Sequence, residues 1–308
     1  MPPDHNNRHQ APAALELSYH PPMAWLSLLK FLAGRAISGV ESVEAGRYSR
    51  AVAIGKSKGW INVEHAEREN ALRVEISPSL ARHLTPLLGR IKNLFDLDAL
   101  PQLIETRLCE DERLRETVKR QPGLRLPGAF DSFEMAMRAV IGQQISVAAA
   151  RTIAGRITEA FSDPVKTPNP NLNRVSVSAA RLAQAGVADL TRFGLTGKRA
   201  ECLIALARAV AEDNLSLEPG VDVAAAIERL KQLPGIGDWT AQYIAMRAMR
   251  WPDAFLHSDL GVRKALNETS SKRILEIAEN WRPWRAYALM HLWNGAGQTQ
   301  TGKGEVKR

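Results

Sequence analysis

Leu233-Pro-Gly-Ile-Gly-Asp-Trp-Thr-Ala-Gln-Tyr243 is the stretch on which the reading of this sequence turns. It lies between a helical pattern that ends near Gln232 and another that starts near Asp238. Pro234 stops the first helix, because it lacks an N–H and its ring clashes with the preceding turn. Gly235 and Gly237 permit tight backbone turns and leave no side chain between the main-chain N–H groups and an approaching anion. The second helix directs the positive end of its dipole at the same point. Two helices joined in this way can hold a phosphate, with Leu233, Ile236 and Thr240 completing the hairpin around the glycines. An ordinary αα-hairpin has the same outline, since Gly-x-Gly is common in turns.

The charge balance favours the anion. The 308 residues carry 41 Lys and Arg against 33 Asp and Glu, a formal net charge of +8, so a polyanion is the partner to test first. With 45% hydrophobic and 24% charged residues, extended disorder and collagen-like or coiled-coil rods are excluded as the whole answer. Cys109 and Cys202 are too few for a disulfide framework or a four-cysteine metal or iron–sulfur site. The only H-x-x-x-H pair, His5 and His9, has no Cys or carboxylate cluster around it, so no zinc site is expected. The polar stretch Met1–Pro12 lacks the apolar run of a signal peptide, and charge interrupts every apolar stretch before a membrane span is reached. A soluble cytoplasmic protein is expected. Membrane-surface binding would need an amphipathic Lys/Arg helix with a broad apolar face, and none is convincing.

Working outward, the chain reads as α+β, with an N-terminal helix on a small antiparallel sheet and then an all-helical core in two subdomains. Apolar residues crowd two adjacent faces from Trp25 to Ile37, ending at Gly34 and Gly39. Tyr48–Ile54, Trp60–Val63 and Leu72–Ile76 are short, partly alternating runs, with Gly55–Gly59 as a hairpin turn. From Ser132, a candidate N-cap, the pattern is nearly all helical, in segments 132–141, 148–161, 178–185, 197–212, 222–233, 239–249, 258–266 and 271–292. The division expected is a disordered segment 1–18, an α+β domain 19–107, a helical subdomain 108–131 plus 252–308, and a central helical domain 132–251 carrying the hairpin. The polar tail from Gly295 to Arg308 is expected to fray.

The hairpin string, followed by Trp251-Pro-Asp-Ala-Phe-Leu-His-Ser-Asp259-Leu-Gly-Val-Arg263, resembles the helix-hairpin-helix DNA glycosylases, and within them the bacterial 3-methyladenine-DNA glycosylase II family. The likeness extends to His20–Trp25, Phe31–Glu41, Arg138–Ser146 and Trp281–Trp293. It implies a monofunctional enzyme that flips alkylated purines such as 3-methyladenine and 7-methylguanine out of duplex DNA and hydrolyses the N-glycosidic bond. Lyase members carry a lysine two residues after the second glycine, where this chain has Trp239, so a Schiff-base step is not expected. Iron–sulfur members carry four clustered cysteines, which this chain lacks. No organic cofactor is implied, but a monovalent cation, sodium or potassium, held by hairpin backbone carbonyls is. A monomer working on nucleoid DNA is expected.

The resemblance makes Asp259 the catalytic carboxylate; read alone, Asp259 also suits the N-cap of the helix that follows it. Trp239 and Tyr243, four residues apart, share one helical face and could receive a cationic base, with Trp293 implied as a third wall. Core packing is the plainer role of such aromatics. The resemblance implies Gln144 as the side chain that fills the gap left by a flipped base and Gln143 as its hydrogen-bonding neighbour; the plainer reading is that both are solvated loop amides. Arg263, Lys264, Lys198 and Arg199 are candidate phosphate contacts. A DNA-binding protein of the same build that has lost catalysis is the alternative, and Asp259 discriminates the two.

Overall fold

The computed structural model describes residues 12–301. His5 and His9, the stretch Met1–Ala11 and the tail from residue 302 lie outside the described residues. The first described element is strand β1 (Ala13–Ser18), so the expectation of disorder does not hold for residues 13–18. β1 pairs antiparallel with β5 along its whole length and is an edge strand. Its order comes from that ladder, a long-range pairing that leaves no local signal beyond the alternation of Leu15 and Leu17. Helix α1 (Trp25–Ala33) follows, then β2 (Glu41–Glu44), β3 (Arg47–Ile54), β4 (Ser57–Ala66) and β5 (Ala71–Ile76). The sheet order is β1-β5-β4-β3-β2, every pair antiparallel.

The expected turn over Gly55–Gly59 is tighter than the sequence suggested. Ile54 pairs with Ser57, so Gly55 and Lys56 alone make the loop, with Gly55 at φ +57°. Gly59 lies inside β4 opposite Val52, where a Cβ would come 2.0 Å from Ser77 Oγ. That glycine is a close approach between strand and crossing chain, not a turn.

Three hydrophobic cores follow the chain. Trp25, Leu28, Leu29 and Leu32 of α1 cover the sheet with Tyr48, Ile61, Val63, Leu72 and Val74, and α2 (Leu84–Phe95) closes the same core with Leu87, Ile91 and Phe95. The next core joins α3 (Pro101–Cys109) and α4 (Glu112–Arg120) to the C-terminal helices. The boundary expected at residue 107 therefore falls inside α3, whose Ile104 and Leu108 are buried there, and the change of core comes near Ala99. The central core is built by α5 (Ser132–Ile141), α6 (Val147–Phe161), α7 (Ala179–Ala183), α8 (Val187–Thr191), α9 (Gly197–Ala211), α10 (Val223–Gln232) and α11 (Asp238–Arg247). Asp131, not Ser132, caps α5, its carboxylate accepting from Glu134 N.

The last segment is α12 (Leu260–Leu266), α13 (Ser271–Ala278) and α14 (Arg285–Thr301). The single helix expected over 271–292 is broken by a short 3-10 turn at Glu279–Trp281 and by Pro283, which has no N–H to continue a helix. Trp281 is fully buried at the break and donates from Nε1 to Asp111 Oδ2 at 2.9 Å. The backbone stays helical through 295–301, where fraying was expected. Among the described residues no helix is long and apolar enough to cross a membrane.

Asp96 ties the cores together. This buried carboxylate accepts from Arg250 Nη2 (2.9 Å), Tyr287 OH (2.7 Å) and Leu126 N (3.0 Å), groups from three distant parts of the chain. His291 on α14 is the opposite case: it is 1% exposed, and among the described residues its Nδ1 has no partner. Burial lowers its pKa to about 4. An unfolded imidazole titrates near ~6.5, so between those values the unfolded chain binds the extra proton and stability falls as pH drops, by about 3 kcal/mol in all. His291→Leu should therefore narrow the difference in urea midpoint between pH 7 and pH 4.5; an unchanged difference would remove His291 from acid sensitivity.

Candidate active site

The hairpin is built as its residues suggest, with one correction. α10 ends at Gln232, Leu233 caps it, and α11 starts at Asp238. Gly235 holds φ +82°, the left-handed region, and a Cβ there would meet Cys202 Cβ at 3.3 Å. Gly237 is extended at φ −89°, and a Cβ there would meet nothing within 4 Å. Only Gly235 is needed for the turn, and at Gly237 the missing side chain leaves the α11 N-terminus uncovered. Ile236 is buried in the central core and half-buried Leu233 packs on it, so these two anchor the loop.

Thr240 is buried, and its Oγ1 accepts from Gln143 Nε2 at 3.1 Å. The same Nε2 donates to Gly235 O at 2.9 Å. Gln143 therefore fastens the α5–α6 turn to the hairpin. Gln144 beside it is exposed and sits at φ +56°, a left-handed conformation uncommon outside glycine. Ser146, four residues after Gly142, caps α6 through Ala149 N at 3.2 Å and fixes where that turn ends.

A cleft of about 1270 Å³ opens between these elements and is lined by Gln143, Gln144, Gly235, Gly237, Trp239, Tyr243, Asp259 and Trp293 among others. Asp259 caps α12 as its sequence position allows, with Oδ1 accepting from Gly261 N (2.9 Å) and Val262 N (3.1 Å). It does more than cap. Trp293 Nε1 donates to Oδ1 at 2.9 Å and Trp239 Nε1 to Oδ2 at 3.1 Å, so four donors orient one carboxylate. Gly261 permits this closeness, since a Cβ there would lie 3.0 Å from Trp293 Cδ1.

The aromatic residues are arranged differently from facing walls. Trp239 and Tyr243 stack on each other, with centroids 5.2 Å apart and planes at 15°, and form one platform with no slot between them. Trp293 stands at 52° to Tyr243, 6.5 Å away. All three are half-buried, between the central and C-terminal cores.

Several cleft residues escaped the sequence reading. Phe31 comes from the N-terminal domain, with Arg35 stacked over its ring at 3.7 Å. Arg247, one turn after Tyr243, donates to the Tyr243 hydroxyl at 2.8 Å. Burial pushes the Tyr243 phenol up, but the guanidiniums of Arg247 and Arg35 outweigh it and hold the phenol below its ordinary value. The four-residue spacing of Tyr243 and Arg247 was a usable signal; Phe31 and Arg35 gave none, because only the packing of domains brings them here. Of the candidate phosphate contacts, Lys198, at the start of α9, and Lys264 are exposed, and none of Lys198, Arg199, Arg263 and Lys264 lines the cleft. Arg263 Nη2 donates to Ser271 Oγ at 3.4 Å.

Residues 14–131 match the AlkA N-terminal domain and residues 137–280 the HhH-GPD superfamily base excision DNA repair protein. DNA-3-methyladenine glycosylase 2 of Escherichia coli (strain K12) is 35% identical over 288 residues, covering 91% of this chain and 97% of that protein. The chain belongs to the DNA-3-methyladenine glycosylase 2 family. A second relative, the probable bifunctional transcriptional activator/DNA repair enzyme AlkA of Mycobacterium tuberculosis (strain CDC 1551 / Oshkosh), is 36% identical over 91% of this chain and 56% of its own length. Among solved structures, 3-methyladenine DNA-glycosylase from Archaeoglobus fulgidus shares the fold at a TM-score of 0.78, with 23% identity, over 92% of this chain and 98% of that one. The family's two parts meet at the cleft: Phe31 and Arg35 come from the N-terminal match and the hairpin and Asp259 from the HhH-GPD match.

Proposed function

We propose that this protein is a monofunctional DNA glycosylase that hydrolyses the N-glycosidic bond of alkylated purines, 3-methyladenine and 7-methylguanine, in duplex DNA. The observation that carries the reading is a carboxylate, Asp259, held by two indoles and two main-chain N–H groups inside a cleft that an anion-binding hairpin borders. Breaking the bond from C1′ to the base develops oxocarbenium character on the sugar, and a fixed carboxylate stabilises that charge. Asp259 also orients the attacking water and takes its proton. Its donors cost no reorganisation at the moment of reaction, because they are in place beforehand.

Alkylation at purine N3 or N7 makes the base cationic, and it then leaves as a neutral molecule. A cation over an aromatic face gains about 0.5–2 kcal/mol, which suits the Trp239–Tyr243 platform and Trp293. Flipping costs a few kcal/mol, less for a damaged base. Gln144, exposed at the cleft mouth, enters the gap while Gln143 keeps its turn registered on the hairpin. Gly235, Gly237 and the α11 N-terminus receive a backbone phosphate, with Leu233, Ile236 and Thr240 holding the loop in place. A Schiff-base lyase step has no amine at the hairpin position, where Trp239 is engaged with Asp259.

A monovalent cation at the hairpin would be held by backbone carbonyls, of which Leu233 O accepts from Ile236 N and Gly235 O from Gln143 Nε2 while each keeps a second lone pair. A sodium or potassium ion bound there would add positive charge beside the phosphate. On this reading the protein acts as a monomer, in the cytoplasm on nucleoid DNA.

The test is single-turnover base release from methylated duplex DNA, with the free base identified by chromatography. Release of 3-methyladenine and 7-methylguanine is expected. No release at any enzyme concentration would sink the proposal and leave a DNA-binding protein.

A further inference from the structure

Of the large hydrophobic side chains exposed among the described residues, two line the cleft, Val147 and Leu260. Val147 opens α6 three residues after Gln144 and belongs to the turn already assigned to the gap. Leu260 comes from a different element, as the first residue of α12, directly after Asp259. A single exposed leucine is ordinary on a protein surface. Here the position matters, because the chain around it is pinned. Asp259 Oδ1 accepts from Gly261 N at 2.9 Å and from Val262 N at 3.1 Å, and Trp293 Nε1 donates to the same oxygen. A Cβ on Gly261 would lie 3.0 Å from Trp293 Cδ1, and Val262 is fully buried in the C-terminal core. The turn that orients the carboxylate and buries its neighbours leaves Leu260 70% exposed at the cleft.

For Asp259 to reach C1′ of a flipped nucleotide, the lesion strand has to pass over the start of α12. The Cα atoms of Asp259 and Leu260 are about 3.8 Å apart across a trans peptide, and one step along a DNA strand rises about 3.4 Å. A side chain one residue beyond the carboxylate therefore falls at the neighbouring step of that strand. Leucine gains free energy there by leaving water, and aliphatic side chains are the usual wedges against unstacked base steps. Gln144, which reaches the duplex from the α5–α6 turn, is an amide with little apolar surface to offer. We infer that Leu260 is a positioning residue that wedges its apolar side chain against the base step flanking the flipped nucleotide on the lesion strand, and so supports the distortion whose gap Gln144 fills. The inference rests on the glycosylase reading, which places C1′ at Asp259, and it adds a contact to the duplex outside the pocket that holds the base.

The experiment follows single-turnover release from duplexes that carry one 7-methylguanine and, beside it in the lesion strand on either flank, one 2-aminopurine, which brightens when it unstacks. Wild type is expected to release the base and to brighten the probe on one flank. Leu260→Ser should raise the half-saturating enzyme concentration about tenfold, a part of what burying a leucine is worth, and lose most of the brightening. Its salt dependence should keep the wild-type slope, because no phosphate contact is removed. Its urea midpoint should stay in place, since the side chain is mostly exposed. Leu260→Met restores apolar area and should recover both affinity and brightening. A loss under about threefold in Leu260→Ser, or a probe that brightens in it as in wild type, overturns the inference. So does a loss that Leu260→Met does not recover, or one with a flatter salt slope, which would report a displaced hairpin. A wild type that releases the base without brightening either probe overturns it too. A wild type that releases no base overturns the glycosylase reading itself, and the inference with it.

Discussion

Asp259→Asn is expected to bind duplex DNA about as tightly as wild type and to release 7-methylguanine at least about a thousandfold more slowly, because in the proposed mechanism a full charge facing the oxocarbenium ion is lost. The geometry adds a structural consequence. Oδ1 accepts from Gly261 N, Val262 N and Trp293 Nε1, while Oδ2 accepts from Trp239 Nε1 alone. An asparagine keeps the three by placing its oxygen at Oδ1, and its NH2 then opposes the Trp239 indole. One hydrogen bond is lost, at about 1 kcal/mol. A thermal midpoint lowered by a few degrees beside an intact helical spectrum would show that the catalytic loss is not unfolding. Base release by the variant at more than about one hundredth of the wild-type rate would move the catalytic role elsewhere.

The second large effect lies under the cleft floor. Glu134 on α5 accepts from Arg50 Nη2 at 2.6 Å, from Arg138 Nη2 at 2.5 Å and from Ser176 Oγ at 2.5 Å. Arg50 and Arg138 also share Glu41, to which Tyr48 donates at 2.7 Å. Two cations and two anions thus balance between the sheet and α5, with Arg50, Glu41 and Glu134 all buried. Burial pushes the Glu134 carboxyl up, and the guanidiniums of Arg138 and Arg50 more than reverse this, down to about 2.

Glu134→Gln leaves two guanidiniums facing one carboxylate, an uncompensated buried charge that should cost about 3–5 kcal/mol. Urea unfolding measures it; a loss under about 1 kcal/mol would mean that the network relaxes or takes in water. The pH dependence has a defined sign. A depressed carboxyl contributes stability above its unfolded value, ordinarily ~4.3, and loses it as pH falls toward about 2. Arg138 Nη1 also donates to Arg35 O at 2.7 Å, so this network sets where the N-terminal domain presents Arg35 to the cleft.

Much of this was legible beforehand. The hairpin bounds were readable because Pro234 and Gly235 act locally, through a missing N–H and a left-handed φ. The strands β3, β4 and β5 were readable from their alternation, and α1 from its apolar faces. Helix α2 carried a usable signal that the reading passed over, since Leu84, Leu87, Leu88, Ile91, Leu94 and Phe95 recur at helical spacing. α3 and α4 gave less: each is nine residues long, α4 is mostly polar, and tertiary burial of a few residues such as Ile104 and Leu114 stabilises them. β2 was missed because Glu-Ser-Val-Glu is an edge strand that owes its order to β3. Gly237 was credited with a turn it does not make.

By itself the sequence determined the hairpin and the pairing of Trp239 with Tyr243, which are properties of residue type at fixed spacing along one segment. Its resemblance to a family named Asp259 and Trp293 as candidates. Only the tertiary structure decided what those residues do to one another. Trp239 and Trp293 lie 54 positions apart in the numbering yet donate to the same carboxylate, and Phe31 and Arg35 reach the cleft from another domain. The Tyr243 oxygen accepts from an arginine that the carbonyls of Pro127 and Gly128 hold in place, more than a hundred positions away. Hydrogen-bond direction and close packing act over a few ångströms in space, and sequence spacing carries that distance only within one helix or turn.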